Sequence, residues 1–474
     1  MHPLTALRFD NSYARLHPAF AEVIDATPLP DPYLVAFNPD AALLLDLDPA
    51  AAGDPELAHY LCGNRRLPGA EPLAQAYAGH QFGVWVPQLG DGRALLLGEV
   101  RNSRGERWDL HLKGAGRTRF SRHGDGRSVL RSAVREFLAS EALHGLGIPT
   151  TRALAIVGSA LPVQRERLET AATLLRLSPS HVRFGSFEYF AARGDTARLA
   201  ELVEYVIGRH FPEAREADEP ALWLFGEICR RTATLMAHWM AAGFAHGVMN
   251  TDNMSVLGVT LDYGPYGFLD DYAAGFVCNH SDTGGRYAFD QQPAVGMWNC
   301  ARLGDALLGL GGESEAWQSA LQSYWPTYAT SYLALMRGKL GLKDSPTDCT
   351  DDSVLVKDLL ALLQRERADY TRFFRELPAA RGADAWFERY AARLGAEGSD
   401  ATGRTERMRQ ANPKYVLRNW IAQEAIEAVQ RGEFELIEQL RRLFADPYAE
   451  HPGMERFAEP PSAAARELAV SCSS

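Results

Sequence analysis

The stretch His246-Gly-Val-Met-Asn-Thr-Asp-Asn253, followed by Asp262-Tyr263-Gly264, carries the oxygen donors of a metal–phosphate site with one residue missing. Kinase-type catalytic loops run His-x-Asp-x-x-x-x-Asn and then, after a short connection, Asp-Phe-Gly. His246 is present, Asn253 sits seven positions later, Asp262 heads the triplet, and Val248 fills the slot of the catalytic Asp. Asn253 and Asp262 are the oxygen donors that Mg²⁺ takes together with phosphate oxygens and water. A strand over 254–261 is expected to return both to one ion. Asp252 is the nearest carboxylate able to replace the missing base, since a positioned carboxylate can accept a hydroxyl proton. Asp270 and Asp271 lie close enough in sequence to compete for these roles, and each donor has a plainer reading as a turn or cap residue.

Upstream come the groups that would face the phosphates. Gly90-Asp-Gly92 is a turn whose backbone N–H groups could approach an anion, and Arg93 follows it. Lys113 ends a run in which Trp108, Leu110 and Leu112 alternate with Asp109, His111 and Lys113, the period of a strand. Glu136 lies in a helical pattern, placed as the glutamate that pairs with a phosphate-holding strand lysine. Arg176 and Arg183 offer forked donors suited to phosphate oxygens. Any one of these is ordinary; their order along the chain is not.

The elements that must position them are legible in outline. Strands are expected near 93–100, 108–113, 151–157 and 170–177, from alternation and β-branched content. Ser128 to Leu146 reads as a helix, with Ser128 as N-cap, Gly147 as stop and an apolar stripe of Leu130, Val134, Phe137, Leu138 and Leu143. From about 197 onward the pattern is mainly helical. The expectation is an α+β, bilobal protein-kinase-like fold. It has a mixed N-lobe with an antiparallel sheet and a helix, and a mainly helical C-lobe with extra helices. The expected divisions are an N-terminal extension wrapping the core (1–80), the N-lobe (81–195), the C-lobe (196–447) and a flexible tail (448–474).

Composition narrows the partners. With 474 residues, 46% hydrophobic and 23% charged, the chain reads as an ordinary globular protein. A net charge of −11 disfavours nucleic acid. Yet Lys113, Arg117, Arg119, Arg122, Arg127, Arg131 and Arg135 crowd one region, which suggests an anionic ligand there. No targeting or membrane-spanning pattern is evident, so a cytoplasmic location is expected. The six cysteines form no Cys-x-x-Cys pair, which disfavours zinc. Cys472 stands apart in a polar ending.

Long strings carry a more specific signal. They are Leu112-Lys-Gly-Ala-Gly-Arg-Thr-Arg-Phe-Ser-Arg122, Asp125-Gly-Arg-Ser-Val-Leu-Arg131, Arg135-Glu-Phe-Leu138, His246 to Ser255, Leu269-Asp-Asp-Tyr272, Cys278-Asn-His-Ser-Asp282 and Asn412-Pro-Lys-Tyr-Val-Leu-Arg-Asn419. Together they resemble the selenoprotein O family of pseudokinases. The resemblance implies a protein adenylyltransferase that binds ATP in reversed orientation and transfers AMP to Ser, Thr or Tyr hydroxyls of proteins, releasing pyrophosphate. It implies that Gly90, Gly92 and Arg93 lie along the nucleotide, and that Lys113 meets the outer phosphates and pairs with Glu136. Asp125 and Gly126 would hold the base or sugar end, and Arg176 and Arg183 would clamp the γ-phosphate. Asn253 and Asp262 would bind Mg²⁺, or Mn²⁺, with Asp252 as base. UTP remains an alternative to ATP. Many eukaryotic members carry selenocysteine third from the end, where this chain has Cys472. That position implies a reversible Cys278–Cys472 disulfide. A kinase and a catalytically dead nucleotide-binding scaffold are the competing readings; Val248 argues against the first and the retained metal pair against the second.

Overall fold

The computed structural model describes residues 1–343, 349–380, 382, 384–398, 400–468 and 470. Up to residue 178 its strands are β1 (Ala21–Val23), β2 (Tyr33–Phe37), β3 (Leu73–Gln75), β4 (Gly79–Gln81), β5 (Val84–Val86), β6 (Ala94–Arg101), β7 (Arg107–Lys113), β8 (Ser128–Val129), β9 (Arg152–Gln164) and β10 (Leu168–Ser178). The main sheet runs β1-β3-β6-β7-β10-β9-β2, with β8 added on β10. Every pairing given for it is antiparallel. The first 75 residues supply β1, β2 and β3, which take both ends of the sheet. β4 and β5 form a separate two-stranded ribbon.

The alternation of the central strands sorts residues onto two faces. Leu95, Leu97, Leu110, Leu112, Leu175 and Leu177 pack against Leu45, Leu47, Leu57 and Leu61 of the N-terminal segment. On the other face, Leu96, Ile156 and Leu174 meet Val134, Phe137 and Leu138 of the Leu130–Gly145 helix. Fully burying each such side chain contributes about 1.5–3 kcal/mol, so the sheet is fixed from both sides. Lys113 and Arg176 ride the helix face, opposite in register to Leu112 and Leu175.

Beyond His210 the chain is mainly helical, with a long helix at Pro220–Ala242 packed on Gln292–Leu307 and Tyr324–Leu340. Among the described residues no helix is long and apolar enough to cross a membrane. The architecture is mixed α+β with an antiparallel sheet.

Two local expectations are corrected. The segment 254–261 is not a strand: Ser255 and Thr260 make only isolated bridges, to Arg183 and Thr150. Ser255 Oγ accepts from Leu257 N, and Gly258 at φ +68° turns the chain, which breaks any ladder. The Leu130–Gly145 helix is not capped by Ser128, which instead pairs with Ala172 as part of β8.

Candidate active site

A cleft of about 630 Å³ opens between the sheet and the 248–265 loop. It is lined by Gly90, Gly92, Arg93, Lys113, Asp125, Gly126, Arg176, Arg183, Asp252, Asn253 and Asp262. Of the sequence-derived candidates, these eleven therefore meet at one cavity, and Glu136 lies just behind it, bonded to Lys113 and Arg176.

That carboxylate is shared. Lys113 Nζ donates to Glu136 Oε2 at 2.5 Å, and Arg176 donates to both Glu136 oxygens, Nη2 at 3.0 Å. Strand register makes this possible: β7 and β10 pair Leu174 with Lys113, which brings Arg176 to the same face of the sheet. Burial alone would raise the Glu136 pKa, but the charges of Arg176 and Lys113 outweigh it and hold the group below its ordinary value. Burial drives Lys113 the other way, to about 8.

Asp262 is the second hub. Arg176 Nη2 meets its Oδ1 at 2.7 Å and Arg183 Nη1 its Oδ2. Burial opposes ionisation, yet Arg183, Arg176 and Lys113 keep this carboxyl well below the usual range. Asp262 is held at φ +59°, a left-handed conformation unusual for a residue with a Cβ. Arg183 also lies over the Tyr77 ring, 4.8 Å from its centre.

Asp252 differs in kind. Burial pushes its pKa up to about 7. Gln81 Nε2 donates to its Oδ2 at 3.2 Å, and its Oδ1 is buried without a hydrogen-bond partner. Asn253 Nδ2 donates to Val248 O at 2.9 Å, which leaves the amide oxygen available. His246 is a brace: its Nε2–H donates to Leu261 O at 2.9 Å and its ring stacks on Trp239.

The cavity rim is built by close backbone approach. Gly126 sits at φ +73°, and a Cβ there would lie 2.1 Å from Gly116 C. Asp125 is held by Arg165 at 2.7 Å and by Arg127 N at 2.8 Å. Gly92 N donates to Gly90 O at 2.7 Å, so that amide is already used within the turn. The Arg93 guanidinium makes no hydrogen bond or ion pair among the described residues and reaches the cavity.

Much of the basic cluster proves structural. Arg131 pairs with Glu169, Arg135 donates to Tyr266 O, and Arg127 donates to Thr27 O and Pro28 O. Asp270 and Asp271 do not reach the cavity: Asp270 pairs with Arg418 and Asp271 with Arg466. Sequence reasoning missed Gln81, Tyr77 and Arg165. Their short strand, loop and hairpin positions carry no periodic signal.

A profile for the family described as protein adenylyltransferase SelO matches residues 3–385. Over full length the chain is 54% identical to protein nucleotidyltransferase YdiU of Myxococcus xanthus and of Thioalkalivibrio sulfidiphilus. It is 50% identical to that of Azotobacter vinelandii. Each alignment covers all of both proteins.

Proposed function

This chain belongs to the protein adenylyltransferase SelO family, and from that membership we propose that it transfers AMP from ATP to Ser, Thr or Tyr hydroxyls of proteins. The observation that carries the reading is the buried Asp252 carboxyl at the cavity wall, while the usual base slot holds apolar Val248. In the proposed step the acceptor hydroxyl yields its proton to Asp252. Its oxygen bonds the α-phosphorus as the bond from that phosphorus to the bridging oxygen breaks, and pyrophosphate leaves. Asp252 suits this task because a general base works best with a pKa near the operating pH.

We read the sheet and its helix (81–195) and the helical region (196–447) as the two lobes of a kinase-like fold, with 1–80 as extension and 448–474 as tail. ATP would lie reversed, its outer phosphates deep against Lys113, Arg176 and Arg183, its base or sugar end toward Asp125 and Gly126. Lys113 and Arg176 now hold Glu136, and Arg176 and Arg183 hold Asp262, so entering phosphates can draw Arg176 and Arg183 off Asp262.

Asn253 and Asp262 fit Mg²⁺ or Mn²⁺. Both are hard oxygen donors, Asp262 stays ionised, and the Asn253 amide nitrogen is committed elsewhere. When bound, the ion would neutralise phosphate charge. The residues named do not discriminate ATP from UTP, so UMP transfer is the variant of this reading to be tested beside it.

The tail is read as a redox element. Cys278 is buried with its thiol donating to Ala245 O at 3.5 Å, and nearby His280 N donates to Val470 O at 2.8 Å. Cys472, the proposed disulfide partner, lies outside the described residues. Peptide mapping without reductant tests that pairing.

Incubation with ATP labelled at either the α or the γ position decides the main reading. Label reaching protein from α supports it. Label from γ alone means a kinase, and neither, with binding intact, means a scaffold. Parallel α-labelled UTP ranks the two nucleotides.

A further inference from the structure

The segment Asn250-Thr251-Asp252 is held residue by residue from β4 and the residue that follows it. Phe82 N donates to Asn250 Oδ1 at 3.1 Å, His80 N to Thr251 Oγ at 2.7 Å, and Gln81 Nε2 to Asp252 Oδ2 at 3.2 Å. β4 is itself tied to the Phe184–Ala191 helix. Ala78 N donates to Gly185 O at 3.0 Å, and the His80 ring meets Glu188 Oε1 through Nδ1 at 2.6 Å. The strand can come this close because position 79 has no side chain. A Cβ there would lie 2.9 Å from Thr251 Oγ and 3.1 Å from Asp252 Oδ1.

This packing makes the two oxygens of Asp252 unequal. Oδ1 lies on the Gly79 side, buried and without a hydrogen-bond partner. Oδ2 takes the Gln81 amide, and Gln81 lines the cavity whereas Gly79 does not. Among the described residues no other side chain hydrogen-bonds this carboxylate. The Gln81 amide is therefore the one polar side-chain contact that sets the rotation of the group about its Cβ–Cγ bond.

We propose that Gln81 is a positioning residue for the transfer, holding the Asp252 carboxylate so that Oδ2 stays on the cavity side, where it can take the acceptor's proton. The inference rests on the transferase reading above and gives β4 a task within it. A general base must lie within hydrogen-bond reach of the proton it removes. A supporting side chain that fixes its rotamer preserves that reach. Misplacing a reacting group by about 1 Å can cost about 10²-fold in rate.

The test is a double-mutant cycle on the full chain. It uses α-labelled ATP, with the chain itself and a synthetic peptide bearing Ser, Thr and Tyr as acceptors. Gln81→Met should lower kcat roughly 10- to 100-fold. KM for ATP, ATP affinity by calorimetry and the melting temperature should stay near wild type. In an Asp252→Asn background the same change should alter transfer by less than about twofold, because its effect runs through the carboxylate. Gln81→Glu keeps the shape and replaces the donor by a like charge; it should give the same pattern and serves if the Met variant misfolds. If both variants stay within about twofold of wild type, or slow Asp252→Asn as much as they slow wild type, the positioning role is overturned and the transferase reading stands. A loss of kcat matched by a lower melting temperature and fewer ATP sites marks a structural role and also overturns it. If wild type passes no α-label to itself or to peptide, the transferase reading fails and the positioning role falls with it.

Discussion

The main-chain oxygen of Asp252 accepts a 2.8 Å hydrogen bond from the guanidinium of Arg183. The same nitrogen meets the Asp262 carboxylate, so one buried cation ties the candidate base to the candidate metal ligand. The fork geometry matters here, because lysine offers a point charge on a flexible stem.

Arg183→Lys should therefore weaken both contacts although charge is conserved. Breaking a buried pair costs roughly 3–5 kcal/mol, and a lower melting temperature together with lost transfer is expected. The outer-phosphate reading adds a binding signature: wild type should prefer ATP to ADP, and Arg176→Gln should shrink that preference. Calorimetry giving the same ATP/ADP ratio in wild type and Arg176→Gln would count against a phosphate clamp.

Asp252→Asn keeps shape and removes the proton acceptor. Transfer should fall roughly 10²–10⁴-fold, the contribution of a positioned general base, while ATP affinity stays near wild type. A variant whose ATP binding collapses and whose turnover per bound ATP persists would make Asp252 a binding residue.

What the sequence reveals and what it hides follow from how each contact is encoded. Lys113 and Glu136 are legible because a strand period and a helix period each fix a face, and the buried pair at 2.5 Å is their meeting. That Arg176 shares the same carboxylate is not legible, since it depends on the register of β10 against β7, which no local pattern states. The four long strands and the helix show because they alternate or repeat over many residues. β4 and β5, three residues each, are too short to do so, and with them Gln81 goes unseen. The expectation of a strand over 254–261 fails for a related reason. β-Branched residues are frequent there, at Val256, Val259 and Thr260, but the Gly258 turn and the Ser255 side-chain bond decide the backbone.

Asp262→Ala should abolish transfer, since losing one electrostatic contact to the transition state commonly costs about 10²–10³ in rate. It should not weaken metal-free ATP binding, because Arg176 and Arg183 lose their carboxylate competitor. Retained activity of the purified variant with Mg²⁺ would refute the ligand assignment. Weaker metal-free binding would refute the competition.

Lys339 tests the energetics of the helical region apart from the cavity. It is buried, its Nζ 4.3 Å from the centre of the Phe374 ring and 5.4 Å from that of Tyr370, and it forms no ion pair among the described residues. Burial lowers its pKa from 10.5 to about 7, with the aromatic faces returning part of the lost hydration. Between those two values the unfolded chain holds a proton that the folded chain has released. Stability from this residue therefore rises with pH across that window and is lowest below about 7. Lys339→Met removes the penalty while keeping an unbranched, similar-length side chain. The variant should melt above wild type at pH 7, and the gap should narrow toward pH 10. Thermal scans of both proteins across that range give the answer, and a gap independent of pH would show that Lys339 does not titrate on unfolding.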